Sequence, residues 1–371
     1  MASNPASPAS KTLVQQYPGT TSPLIVCAPM RLISSPALVH AVSLSGGLGF
    51  LGLGIPGTDT SIPDIKRLID EANALFAPSS FARPAPFGIG FLLITDPSPV
   101  ETVNLLASLP PTQVPAAVWL FPAVSPDTIS KWTTSLRSLP TPPKIWLQVG
   151  TKAQALSYAK LCQPDVLVLQ GADAGGHGLA ASASIVALVP ETTDALREAG
   201  LNIPVIAAGG IADGRGIAAA TVLGADGVAM GTRFLACPEA KVARGYQDAV
   251  LVASDGGMNT VRTRIYDTLR GSKTWPEGYN GRGVVNRSYV ESETLGVEEN
   301  VKKYLKAMEE GDKAWGVEGR AATYAGSAVG LVREVKGAGK IVEEVRGDAI
   351  KLLGVARSNY KHKSQGGFSM L

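Results

Sequence analysis

Asp165-Val-Leu-Val-Leu-Gln-Gly-Ala-Asp-Ala-Gly-Gly-His-Gly178 begins as an apolar run and ends as four glycines around one histidine. Its first five residues, Asp165-Val-Leu-Val-Leu169, read as a buried parallel strand. Glycine loses more backbone freedom on ordering than any other residue, so a cluster of them after a strand is a poor choice for stability. It suits a place where the backbone must approach something closely. His177 is one of only three histidines in the 371 residues. An imidazole on a loop at a strand's carboxyl end is where an α/β barrel places its chemistry. The plainer alternative is a flexible connector that happens to contain a histidine, and the flanking sequence argues against it.

Working outward, short apolar runs alternate with helical patterns, the signature of a parallel sheet. Eight runs read as strands: Leu24–Ala28, Gly49–Leu53, Phe87–Leu92, Ala117–Leu120, Ile145–Val149, Val166–Leu169, Val205–Ala208 and Gly227–Met230. Ser34–Ser45, Ile62–Leu75, Pro126–Ser138 and Ala153–Leu161 read as helices between them. Eight such units match a (β/α)8 TIM barrel, typically ~250 residues long. A doubly wound sheet would carry Gly-x-Gly-x-x-Gly after its first strand, whereas this strand ends in Ala28-Pro29-Met30.

The texture changes after Cys237. Pro238 to Gly256 reads as helical, Asp255 to Asn286 as irregular, and Glu291 to Glu310 as a charged amphipathic helix. Ala321-Ala-Thr-Tyr-Ala-Gly-Ser-Ala-Val-Gly-Leu331 reads as the opening of another helix. The expected fold class is therefore α/β, a TIM barrel with a smaller helical cap or lid subdomain inserted after the last strand. The expected organisation is a disordered tail over 1–20, the barrel over 21–237, the cap and substrate subdomain over 238–320, and returning helices and tail over 321–371.

The chain is 45% hydrophobic and 18% charged, which permits a large core and excludes global disorder. A net charge of +3, with bases and acids interleaved, does not form a nucleic-acid surface. Cys27, Cys162 and Cys237 lie far apart, which argues against a disulfide framework or a metal site and fits a reducing compartment. No apolar run is long enough to span a bilayer, and Met1 to Ser10 lacks the pattern of a secretory signal. A cytoplasmic location is expected, with a peroxisomal alternative because Ser369-Met370-Leu371 is similar to a peroxisomal address. Oligomeric state stays open.

Chemistry collects at two further strand ends. Pro204-Val-Ile-Ala-Ala-Gly-Gly-Ile211 exposes backbone N–H groups at Gly209 and Gly210 before a helix that Asp213 or Gly214 opens. Gly227-Val-Ala-Met-Gly-Thr232 supplies a second glycine turn with a hydroxyl donor. The loops after strands seven and eight of a barrel commonly form a phosphate site together. The plainer reading makes both of them tight βα turns.

Ala28-Pro29-Met30, Gln170-Gly-Ala-Asp-Ala-Gly-Gly-His177, Pro204-Val-Ile-Ala-Ala-Gly-Gly-Ile211 and Met230-Gly-Thr-Arg-Phe234, in this order, resemble the FMN-binding barrels of the nitronate monooxygenase family, formerly 2-nitropropane dioxygenase. Tyr324-Ala-Gly-Ser-Ala-Val-Gly-Leu331 extends the resemblance to nearly the whole chain. The resemblance implies an FMN-dependent oxidoreductase that turns alkyl nitronates, or nitroalkanes, and O2 into carbonyl compounds and nitrite. Its partners would be a small-molecule substrate and O2, with no metal, membrane or nucleic acid. Ala28, Pro29 and Met30 would pack against the isoalloxazine. Gln148 and Gln170 would bond the flavin or its ribityl chain, although Gln148 reads equally as an ordinary polar strand end. Gly175 and Gly176 would let the loop approach the flavin. Gly209, Gly210, Gly231 and Thr232 would hold the phosphate, Met230 beside them would belong to the cofactor-binding set, and His177 would be the base. Gly90 stands where many relatives carry an Asn that contacts the flavin. Asp173 replaces a common Glu, and no Arg follows His177.

Two rivals are an FMN-dependent NAD(P)H reductase of quinone or enoyl substrates and a non-catalytic phosphate-ligand barrel. A phosphosugar lyase would want a lysine at a strand end, and none of the eight ends in one. A purine-nucleotide dehydrogenase barrel would want a cysteine after strand six, whereas Cys162 precedes that strand. His40 reads as packed or solvated and His362 as exposed. Arg233 reads equally as a phosphate contact or an outward side chain. Trp119, Phe121, Trp275 and Tyr279 read as core or as the wall of a substrate pocket.

Overall fold

The computed structural model describes residues 13–77 and 85–361. His362, the first residues of the tail and Ser369-Met370-Leu371 lie outside them. Eight parallel strands close a barrel in the order β1-β2-β3-β4-β5-β6-β8-β9. They are β1 Leu24–Cys27, β2 Leu48–Gly54, β3 Ala85–Leu93, β4 Pro115–Pro122, β5 Lys144–Val149, β6 Val166–Gln170, β8 Val205–Ala208 and β9 Gly227–Met230. The eight expected strands are these eight. β1 closes the ring on β9, with Cys27 opposite Met230.

Serine–proline starts fix several of the outer helices. Ser35, Ser61 and Ser125 each accept a backbone N–H of the first turn, and Pro36, Pro63 and Pro126 occupy early positions where no N–H bond is lost. The barrel strands are apolar on both faces. One face packs on the helices and the other fills the lumen with Phe50, Trp119, Trp146, Val168 and Ile206. Leu13 and Tyr17 close the lumen from below, the Tyr17 hydroxyl accepting from Trp146 Nε1 at 2.6 Å. The disordered tail expected over 1–20 therefore does not extend to residues 13–20, because Leu13 and Tyr17 are buried.

Three expectations for the rest of the chain are corrected. First, part of the His177 loop is a strand, β7 Gly176–Leu179. It joins a separate sheet in the order β10-β11-β7, with β10 Thr260–Thr263 and β11 Tyr279–Val284. The stretch read as irregular, 255–286, therefore builds the two antiparallel partners of the histidine segment, with Gly281 opposite His177. Second, the helix expected over Pro238 to Gly256 is shorter, Arg244–Val252. Third, 321–331 forms turns and a short 3-10 segment. The long helix begins only at Ala338, where the Glu239 carboxylate accepts the Ala338 N–H at 3.1 Å. That helix packs on Gly214–Val222 and Pro36–Leu44. The expected charged helix is present as Val297–Met308. No helix among the described residues is long and apolar enough to cross a membrane.

Candidate active site

The strap from Gly171 to Leu179 crosses the carboxyl end of the barrel and is tied at several points. Arg262 donates from Nε to Ala172 O and from Nη2 to Ala174 O, both at 3.1 Å. Arg282 donates from Nε and Nη2 to the same Ala172 O, at 3.3 and 3.1 Å. These two guanidiniums face each other across β10 and β11. Burial first, and the charge of Arg282 second, pull the Arg262 pKa down to about 10. From the other side Ser327 N–H donates to Asp173 O at 3.0 Å and Ser327 Oγ to Asp173 Oδ1 at 2.8 Å. Asp173 is thus an anchor of the strap.

His177 is held just as firmly. Its Nε2 lies 2.8 and 3.0 Å from the two carboxylate oxygens of Asp267. Trp275 stacks parallel to the imidazole, with ring centres 4.0 Å apart and planes within 4°. The Tyr324 hydroxyl donates to Asp267 Oδ1 at 3.3 Å. Burial, and then the Asp267 charge, raise the Tyr324 pKa, so this hydroxyl remains a donor at neutral pH. Asp267 comes from the helix Ile265–Leu269, inside the stretch without periodicity. No sequence signal marked it.

The other expected positions divide into those that face the barrel mouth and those used within the protein. The Ala28-Pro29-Met30 turn is rigid. Ala28 N–H donates to Met230 O at 3.1 Å, Met30 N–H to Ser34 Oγ at 3.0 Å, and Ser34 Oγ to Ala28 O at 2.9 Å. Ser34 escaped the sequence reading. Met230 contributes this carbonyl, while its side chain is buried in the core. Gly90 is covered by Pro29 on its side-chain side: a Cβ there would lie 2.2 Å from Pro29 Cβ, so the glycine lets the turn approach. Gln148 accepts from Trp119 Nε1 at 2.9 Å through its amide oxygen, which leaves the –NH2 end as donor. Gln170 Nε2 donates to His177 O at 3.0 Å, so the structure assigns that amide to the strap. Gly175 is required by a close approach within the chain, since its Cβ would meet Gly326 N at 2.4 Å. Gly176 has φ +69° and open space around it.

Gly209 and Gly210 take φ of +104° and +74°, a region that side-chain-bearing residues rarely enter. The helix after them is not a free anion site, because Asp213 caps it by accepting from Arg215 N and Gly216 N at 2.9 and 3.3 Å. What remains is a pair of turns. Thr232 Oγ1 accepts from Gly326 N at 2.9 Å and keeps its own proton to donate. A Cβ on Gly231 would meet only Met30 Sδ at 3.6 Å and Cγ at 4.0 Å, so this place is open. Two left-handed glycines, an open glycine and a hydroxyl donor fit a phosphate monoester. Gly231→Ala is therefore expected to leave the melting temperature unchanged and to lower flavin content on purification. Full flavin content in that variant would place the phosphate elsewhere. Gly210 is a poorer test, since its backbone conformation resists any side chain.

Arg233 is buried and donates to Glu334 O at 3.3 Å, a packing role. His40 packs edge-on against Phe76 at 4.9 Å. Trp119 belongs to the lumen, whereas Trp275, Tyr279, Phe121, Ile55 and Ile94 form an apolar wall beside His177. Among the described residues no cluster could hold a metal ion, and the three cysteines are buried thiols.

The nitronate monooxygenase family model matches residues 143–346. Nitronate monooxygenase npaC of Metarhizium robertsii is 46% identical over 354 residues, covering 92% of this chain and 95% of the relative. A nitronate monooxygenase of Neurospora crassa is 37% identical, covering 90% of each. Among solved structures, FabK from Thermotoga maritima superposes with a TM-score of 0.71 at 25% identity, covering 94% of this chain and 98% of that one. Nitroalkane oxidase from Streptomyces ansochromogenes gives 0.68 at 21% identity, covering 93% and 99%, a likeness that speaks for the fold. Because the sequence likeness runs through both the barrel and the segments that cross its mouth, the chain belongs to the nitronate monooxygenase family of flavin-dependent oxidoreductases.

Proposed function

We propose that this chain uses bound FMN and O2 to oxidise alkyl nitronates, and nitroalkanes once deprotonated, to carbonyl compounds and nitrite. The observation that carries the reading is His177, fixed at the barrel mouth by Asp267 and Trp275 beside an apolar wall. The flavin supplies the redox chemistry when bound. Gly209, Gly210, Gly231 and Thr232 would hold its phosphate, and the Ala28–Met30 turn and the Gln148 amide would hold its ring and ribityl end. FMN is favoured over FAD because the turns offer room and donors for one phosphate group. His177 removes the α-proton of a neutral nitroalkane, or offsets the charge of a nitronate already formed. The wall of Trp275, Tyr279, Phe121 and Ile94 takes the alkyl part and limits water around it.

We assign the substrate-side cover to 238–320, the barrel to 21–237 and the returning segment to 321–371. The compartment is proposed to be a reducing one, the cytoplasm; three buried free thiols support it.

Purified protein is expected to be yellow with non-covalent FMN, and to form nitrite with oxygen uptake when given an alkyl nitronate. Colourless protein that takes up no FMN, or a flavoprotein that forms no nitrite, would overturn the reading. Rapid anaerobic bleaching by NADPH would instead support the reductase rival.

A further inference from the structure

We infer that Nδ1 of His177 is the proton-accepting nitrogen, and that Asp267 is the positioning residue that makes it so. The inference rests on the function proposed above. Both Asp267 oxygens lie within 3.0 Å of Nε2. An ionised carboxylate only accepts, so the neutral ring must carry its proton on Nε2 and its lone pair on Nδ1. The side chains are 11% and 6% exposed, so water competes little for this pair. Tyr324 donates to Asp267 Oδ1 at 3.3 Å, which holds the carboxylate in place beside the ring. Trp275 lies flat on the imidazole at 4.0 Å and restrains rotation of the ring about its bond to Cβ.

When the α-carbon of a nitroalkane is deprotonated, the C–H pair stays on the substrate as the nitronate and the proton adds to Nδ1. The imidazolium so formed keeps its Nε2–H directed at Asp267, which offsets the new charge without moving. Tyr324 and Asp267 thus act through His177 and need not touch the substrate.

Asp267→Asn tests the assignment. The Asn amide can donate to Nε2 and drive the ring proton onto Nδ1, where it blocks catalysis. Nitroalkane turnover in the FMN-loaded variant is expected to fall ~10²-fold or more, while turnover of the matching nitronate stays within roughly threefold. Asp267→Glu, which keeps the carboxylate, is expected to recover part of the loss. A readout independent of activity is ¹⁵N NMR of histidine-labelled holoenzyme, with the His177 signals identified by their loss in His177→Asn. In the neutral ring, Nε2 should resonate as a protonated, pyrrole-type nitrogen and Nδ1 as a bare, pyridine-type one. A bare Nε2 in the wild-type protein, or Asp267→Asn with undiminished nitroalkane turnover, overturns the inference. If Asp267→Asn fails to fold, the wild-type spectrum alone decides. Wild-type protein inactive on both substrate forms would instead sink the proposed function, and the spectrum would still judge the pair.

Discussion

His177→Asn is expected to lower turnover of a neutral nitroalkane by ~10²–10⁴-fold, the usual contribution of a general base. The same variant should retain FMN, because no phosphate-holding residue expected here contacts the imidazole. Its activity on the preformed nitronate should fall far less, since that substrate has already lost its α-proton. The comparison of the two forms is the informative measurement. A general defect in folding or flavin seating would depress both equally, whereas loss of a base depresses one. Equal losses on both forms would make His177 a structural residue or an electrostatic contact. A loss confined to NAD(P)H-dependent reduction would transfer the role to reductase chemistry.

The second large effect is expected at Gly90. The resemblance to the family associates an Asn at this position with the flavin, so Gly90→Asn introduces the residue that the resemblance implies. The structure predicts harm from it. A Cβ on Gly90 would lie 2.2 Å from Pro29 Cβ and 2.5 Å from Pro29 Cγ. Proline's ring cannot swing away as a flexible side chain does, so the whole Ala28–Met30 turn must move. That turn is itself pinned at Met230 and Ser34, and Gly52 leaves no slack beneath it, with a would-be Cβ 2.1 Å from Met30 O. Overpacking of this kind costs about 1–3 kcal/mol. The shift per kcal/mol falls with chain length and is at most about 2 °C here, still measurable by thermal unfolding. Flavin content should fall with it. Unchanged melting and full flavin content would show that Pro29 yields freely and that the Asn contact implied by the resemblance can be built here.

The eight barrel strands were legible because each is a short apolar run buried on both faces, a pattern that local sequence alone carries. β7 was not. Gly176-His-Gly-Leu179 has little strand propensity, and it is extended because β11 is there to pair with it. β11 is equally disguised, since Gly281 and Gly283 interrupt any alternation. His177 stood out as a rare residue among glycines, but its partner Asp267 lies 90 residues away in a segment without period. The glycines of the 175–178 run also had two meanings in the sequence and one in the structure. Gly175 admits the Ala325–Gly326 turn, a contact between distant segments that no local pattern announces. The helix expected from 321 failed similarly, because Gly326, Gly330 and Gly337 punctuate the stretch before Ala338.

The ties between the strap and Gly326 and Ser327 also have a consequence in time. Thr232 is bonded to Gly326, Asp173 to Ser327 and His177 to Asp267, while β1 has no second neighbour until β9 exists. During synthesis the amino-terminal strands leave the ribosome long before these partners do. Long-range pairings of this kind form late, and the incomplete barrel exposes an unpaired edge meanwhile. A nascent chain stopped short of residue 327 would therefore lack the ties that hold the strap and the Thr232 turn. If the proposed function holds, flavin capture is one of the last events of maturation, and a scarcity of flavin is felt by complete, waiting polypeptides and not by those still being translated.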